Sequence, residues 1–236
     1  TDFCHKCPNR LISSGRKRNS ERQRNIITMS LLFIVISIIW GVTVHEFSHA
    51  LVANRLGDPT GKALGRLTLN PLAHFDLFGT LALVIFGFGW GKPVPFNPHY
   101  LKNPKRDAAL ISLAGPFANF LSAIVFAIPL NYFSESLFAD NPLYTLLKFL
   151  FDINIILCAL NVLPIPPLDG SKIIGLLVPA RFHSQYEHYL QEGAKYFIIF
   201  ILLDMLVLKN FLGRSVLGTI VFGLADRIAA LIALGT

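Results

Sequence analysis

Four stretches of this chain, near residues 30–52, 108–130, 143–165 and 195–233, are apolar over lengths that match or approach the ~20 helical residues needed to cross a bilayer. Hydrocarbon offers no hydrogen-bond partners, so such segments must satisfy their backbone internally, and a helix does this turn by turn. Of the 236 residues 53% are hydrophobic and 15% charged, and the mean hydropathy of +0.54 lies far above that of a water-soluble domain. The expectation is an all-α polytopic membrane protein with about 4–6 transmembrane helices, residues 29–236 forming one membrane-embedded domain.

The formal charge of +7 is unevenly spread. Lys6, Arg10, Arg16, Lys17, Arg18, Arg22 and Arg24 precede the first apolar run, opposed by Asp2 and Glu21. Residues 1–28 therefore read as a basic, disordered tail. With Met29 just before the apolar run, the tail is expected to be a start-site extension rather than part of the domain. No aromatics are interleaved with these cations, so nucleic acid is set aside in favour of a topology signal or contact with the lipid bilayer. Cys4 and Cys7 form a lone CxxC without the second pair of a zinc knuckle, and Cys158 sits in an apolar run, so no disulfide framework is implied.

The first helix is expected from Met29 to Arg55, apolar to Val44, carrying the segment HEFSH at 45–49 and stopped by Gly57-Asp58-Pro59. Residues four apart share a helix face, so His45 and His49 can each offer a ring nitrogen to one zinc ion. Glu46 in this HExxH arrangement does not bind metal. It accepts a proton from the attacking water and returns it to the leaving amine, while zinc polarises the scissile carbonyl. Two histidines and a glutamate in a membrane helix carry a desolvation cost that metal ligation offsets. A catalytic Zn2+, one per chain, wants a third protein donor at the same depth. Glu135 lies in the loop on the other side, and Glu187 and Glu192 in a polar stretch beyond the third helix. Asp169, at the inward end of helix 143–163, is the expected third ligand, although Asp-Gly is also an ordinary turn at a membrane boundary.

Residues 57–76 hold repeated Gly and Pro with alternating Leu67 and Leu69, which suggests irregular or short extended structure. Residues 77–91 are apolar but too short and glycine-rich for a full span, so they are expected to be re-entrant or a short β segment packed near the active site. The three prolines of NVLPIPPLDG, at 161–170, force an unwound stretch able to present polar groups within the membrane. This stretch and segment 77–91 are the expected places for substrate to bind by strand addition. Asp204, inside an apolar segment, is left at a helix end or a cavity face. His74, His99, His183 and His188 fit no ligand spacing; His74 either flanks the site or is solvated.

For Asp169 to meet the histidines, helices 30–55 and 143–165 must run in the same direction, with helix 107–133 the only full span between them. The loop 92–106 carries Lys92, Lys102, Lys105 and Arg106, while 131–142 carries Glu135 and Asp140 without Lys or Arg. The first loop, and with it the site, is thus expected on the cytoplasmic side of the plasma membrane, which leaves the basic tail outside against the usual rule.

These residues resemble those of the site-2 proteases, intramembrane zinc metallopeptidases of the M50 class, particularly their short bacterial and archaeal members. The likeness covers about residues 29–180 and rests on HEFSH and on NVLPIPPLDG, which is similar to the family's Asn-x-x-Pro-x-Pro-x-Leu-Asp-Gly signature. The resemblance implies that His45, His49 and Asp169 bind zinc, that Glu46 is the catalytic base, and that Asn161 binds substrate or stabilises the oxyanion. AGPFAN at 114–119 is similar to the family's Gly-Pro-x-x-Asn element, which makes Asn119 either a further site residue or part of a small-residue packing face. The implied substrate is a transmembrane protein or peptide such as an anti-sigma factor, a membrane-tethered regulator or a signal-peptide remnant. The expectation is a short form, with no PDZ domain between its helices and no CBS pair after them.

Two other readings compete. A non-catalytic membrane scaffold that keeps the fold and the metal would not need Glu46. A metal transporter would need ionisable residues along a path across the bilayer, for which only Asp152 and Asp204 are available.

Overall fold

A computed structural model describes residues 8–77, 79, 81, 91–132 and 141–235. Helix α1 runs from Pro8 to Arg55, α2 from Thr60 to Ala63, α3 from Pro104 to Tyr132 and α4 from Pro142 to Val162. They are followed by α5 from Asp169 to Ile173, α6 from His183 to Leu203, α7 from Lys209 to Leu212 and α8 from Val216 to Gly235. Among the described residues four helical stretches are long and apolar enough to cross a membrane: Gln23–Arg55, Pro104–Tyr132, Pro142–Val162 and Val216–Ala233. The protein is an all-α polytopic integral membrane protein. From Pro8 onward the tail is continuous with α1, because Ser, Arg, Lys, Gln and Glu all tolerate helix and the apolar run beyond them continues it.

The ends of these helices are written in local chemistry. At the end of α1 the Asp58 amide donates to the Ala53 carbonyl at 3.0 Å and the Gly57 amide to the Asn54 carbonyl at 3.3 Å. These are the two bonds of a Schellman motif, and Gly57, at φ 107°, takes the left-handed position that a side chain would strain. In α3, Pro104 occupies the first turn and the Asp107 carboxylate reaches back to the Asn103 amide at 2.9 Å. Asn141 caps α4 by accepting from the Leu143 amide at 2.8 Å.

Helices α1, α3 and α4 pack mutually, and α8 lies against α4. The main core is built from small residues, Ala123 and Ala127 of α3 against Ile155 and Ala159 of α4, with Val221, Ala225 and Ile232 of α8 closing over them. Small side chains allow close backbone approach, which is how helices hold together where lipid removes the hydrophobic drive. Large apolar side chains such as Leu31, Val35, Phe117, Leu121, Val125 and Ile199 point outward instead, as a lipid-facing surface requires. Asn119 pairs with Asn154, and farther along α3 Ala127 lines a groove with Phe151, so α3 and α4 are antiparallel.

Residues 57–76, expected to be irregular or extended, contain the short α2 and a single 3-10 turn at Pro71–Ala73. Segment 77–91 lies for the most part outside the described residues. Its flanks, however, meet: Phe75 and Gly91 form an isolated antiparallel bridge, and the Lys92 amide donates to the His74 carbonyl at 2.8 Å.

Candidate metal centre

Helical spacing places His45 and His49 on the face of α1 that looks into the bundle, and both are buried. Their rings stand edge to face, 4.6 Å apart with an interplanar angle of 86°. Asp169, from the first turn of α5, brings Oδ2 to 3.0 Å from His45 Nε2 and 3.2 Å from His49 Nε2. The unwinding that carries it there follows from the proline-rich stretch after Val162, where α4 cannot continue. One donor atom from each of the three lies within 4.8 Å of the others, a group that could hold a metal ion. Two imidazole nitrogens and one carboxylate oxygen are a donor set suited to zinc, and three protein donors leave a position open.

The far nitrogen of each ring is also engaged. His45 Nδ1 is 2.6 Å from Asn119 Oδ1, and His49 Nδ1 donates to the Ile111 carbonyl at 2.6 Å. These partners aim both Nε2 atoms at Asp169. Close approach of α3 depends on Gly115: a Cβ there would sit 2.5 Å from His49 Nε2 and 2.6 Å from His45 Nε2. Burial alone would push the Asp169 carboxyl up; the imidazole of His49, with His45, outweighs it and holds the group well below the usual carboxylate range.

Glu46 projects beside the trio and is held by the chain that follows the Phe75–Gly91 bridge, its Oε2 accepting from the Val94 amide at 3.0 Å. The arm bearing Val94 is itself anchored. Asp58, buried just after α1, accepts from the Thr60 amide and hydroxyl at 2.9 and 2.5 Å and from the Asn97 amide at 2.7 Å. Burial pushes the Asp58 carboxyl up, but these donors more than offset that and hold it below its ordinary value.

Of the residues singled out in the sequence, the fold brings together His45, His49, Asp169 and Asn119, with Glu46 alongside. Asn161 is half-buried and donates to the Leu157 carbonyl of its own helix at 3.0 Å; no hydrogen bond among the described residues ties it to the trio. His74 is not a solvated loop residue. It is fully buried, 2.8 Å from the Thr68 carbonyl through Nε2, and Arg66 beside it donates to the Ala73 carbonyl, so the two staple the loop under the site. Asp204 lies in the π-helical turn Asp204–Leu208 that joins α6 to α7, and its carboxylate caps the start of α8, accepting from the Ser215 hydroxyl at 2.5 Å and the Val216 amide at 2.8 Å. Glu187 and Glu192 pair with His183 and Lys195, outside the site, and Glu135 lies outside the described residues. Sequence reasoning missed Val94, the close approach at Gly115, and Asn154, a fully buried amide bonded to Asn119. An amide inside an apolar helix was the available signal for Asn154, since such a group needs a partner.

Comparison with known proteins places the chain among zinc metalloproteases by sequence. The chain is 38% identical over 184 residues to "Putative zinc metalloprotease YwhC" of Bacillus subtilis, covering 76% of this chain and 83% of that protein. It is 33% identical to "Putative zinc metalloprotease Rip2" of Mycolicibacterium smegmatis over 59% of this chain, spanning about half (55%) of that relative, and 26% identical to "Zinc metalloprotease MJ0392" of Methanocaldococcus jannaschii, covering 67% of this chain and 37% of that protein. No solved structure matches the chain. The model of Peptidase family M50 matches residues 32–140 and 129–205, which include both histidines, Glu46, Asn119 and Asp169, and the chain belongs to that family.

Proposed function

We propose that this protein is an intramembrane zinc metalloendopeptidase that hydrolyses peptide bonds of transmembrane proteins or peptides. The observation that carries the reading is the convergence of three donors from two distant parts of the chain, the buried His45 and His49 with the half-buried Asp169, beside a glutamate held by a backbone amide. In this reading His45 Nε2, His49 Nε2 and Asp169 Oδ2 hold one Zn2+. The metal, when bound, supplies Lewis acidity toward the scissile carbonyl and the attacking water. Glu46 takes a proton from that water and delivers it to the leaving amine. The Val94 amide leaves Glu46 one oxygen committed and one free, which fixes the direction from which the base works. Asn119 and the Ile111 carbonyl keep the imidazoles aimed, and burial of both histidines limits contact with bulk solvent. Asn161, one helix end away from Asp169, is the residue assigned to substrate or to the developing oxyanion. The unit that does this is residues 29–236, and its substrate helix must unwind locally to expose a bond.

We further place the site toward the cytoplasmic face of the plasma membrane, on the strength of the cations in loop 92–106.

The test is Glu46→Gln in purified protein reconstituted with a transmembrane model substrate. The variant is expected to retain one zinc per chain by elemental analysis while turnover falls about a thousandfold. Cleavage at the parent rate by zinc-loaded Glu46→Gln would exclude Glu46 as the base.

A further inference from the structure

Asn154 stands in the middle of α4 without exposed surface, in a helix otherwise apolar from Ile153 to Leu160. A primary amide in such a place costs free energy unless its polar atoms are bonded. Here they are. Asn154 Nδ2 donates to the Leu150 carbonyl of its own helix at 2.7 Å, which turns Oδ1 toward α3, where it accepts from Asn119 Nδ2 at 3.0 Å. The other amide hydrogen of Asn119 goes to the Gly41 carbonyl of α1 at 2.9 Å.

Both hydrogens of the Asn119 amide are therefore committed, one to each neighbouring helix, and only its oxygen is left to face His45 Nδ1. An amide oxygen can only accept, so Nδ1 carries the proton and the Nε2 lone pair is left to face the position shared with His49 and Asp169. Turning the Asn119 amide over would set its oxygen against two other acceptors, the Gly41 carbonyl and Asn154 Oδ1. One of those acceptors is backbone and invariant to mutation; the other is a side chain. His49 needs no such relay, because its Nδ1 donates directly to a backbone carbonyl.

We propose that Asn154 is a positioning residue of the metal centre: by holding the Asn119 amide in one orientation, it fixes His45 in the tautomer whose Nε2 can take a metal ion. This rests on the reading of His45, His49 and Asp169 as a zinc site. The competing role for a buried asparagine is simple cohesion between helices, and the two roles differ in how they couple. A positioning residue acts through Asn119; a cohesive one acts regardless of it.

Zinc affinity, read by competition with a chromophoric chelator on the full-length protein in detergent, separates them. Asn154→Leu is expected to weaken zinc binding about tenfold, and Asn119→Leu by between about tenfold and a hundredfold. In the Asn119→Leu background the further change Asn154→Leu is expected to alter affinity by less than about twofold, since the path it acts through is gone. Asn154→Asp, which as the neutral acid donates its O–H to the Leu150 carbonyl and still offers an acceptor to Asn119, is expected to stay within about threefold of the parent. Should Asn154→Leu fail to fold, Asn154→Ser takes its place: its hydroxyl can bond the Leu150 carbonyl but does not reach Asn119, so it is expected to fold and to show the same tenfold loss. Equal losses from the Asn154 change in both backgrounds, or parent-like affinity of Asn154→Leu, would overturn the proposal while leaving the zinc site standing. A parent chain that holds no zinc would overturn the metal reading itself, and this role with it.

Discussion

The approach of α3 to the three candidate metal donors depends on a residue that has no side chain. Gly115 lets α3 lie against the ligand face of α1, and a methyl group there would come within 2.5 Å of a ring nitrogen. The rings cannot swing away freely, because each is bonded through Nδ1. Gly115→Ala is therefore expected to keep its helical circular dichroism and lose zinc affinity by at least about tenfold, checked by metal retained after dialysis against a chelator. Parent-like retention would mean that the rings are less tightly held than their hydrogen bonds indicate. The contrast with His45 and His49 shows what a sequence makes legible. A four-residue spacing in a helix is local geometry and can be seen without a fold. Gly115, Val94 and Asn154 matter only through what approaches them from other elements, so nothing in their immediate surroundings states their role. Asp169 was legible in between, through the demand for a third donor at one depth.

Among the elements, the arm from Gly91 to Asn97 is the piece that holds Glu46, the proposed base, and it is held from below by the turn that ends α1. Asp58 is the link, bonding the α2 entry through Thr60 and the arm through the Asn97 amide, three residues from Val94. Asp58→Asn would face an amide group toward the Asn97 or Thr60 amide, donor against donor, and is expected to lower stability by about 2 kcal/mol. Because the folded-state carboxyl is held below its ordinary value, its contribution is complete above the unfolded value near pH 4 and fades as pH falls through the lower folded value. Thermal denaturation of parent and variant in detergent should thus show a gap that is constant from pH 8 down to about pH 4 and narrows only below it. A gap already closed at pH 6 would refute the assignment to Asp58. The bounds of α3 and α4 and the Gly57 stop were readable from apolar length and turn residues, whereas the start of α1 at Pro8 rather than Met29 was not. The burial of His74 and the helix-end role of Asp204 were not, since each is decided by a partner several residues away that no periodicity marks.

For the whole molecule, the site geometry fixes relative directions and leaves the absolute orientation to charge. Asp169 follows α4 and meets histidines near the end of α1, so those helices are parallel and α3 runs between them in the opposite sense. Arg55, Lys62 and Arg66, as well as Lys92 through Arg106, then all gather on the side of the metal centre, and Lys172 and Arg181 join them after α4. Against them stand the cations at the start of α1, on the opposite side. The rule weighs Lys and Arg in short loops near the helix ends, and by that measure the site side carries more, which supports the proposed cytoplasmic placement of the site. Single cysteines at Tyr100, an exposed residue on the site side, and at Asn141, exposed at the start of α4, test this in a background lacking Cys4, Cys7 and Cys158. In intact cells a membrane-impermeant maleimide is expected to label position 141 and to reach position 100 only after the membrane is opened. Labelling of position 100 from outside would reverse the molecule, bring the basic N-terminal stretch into the cytoplasm, and require substrates to meet the zinc from the opposite face.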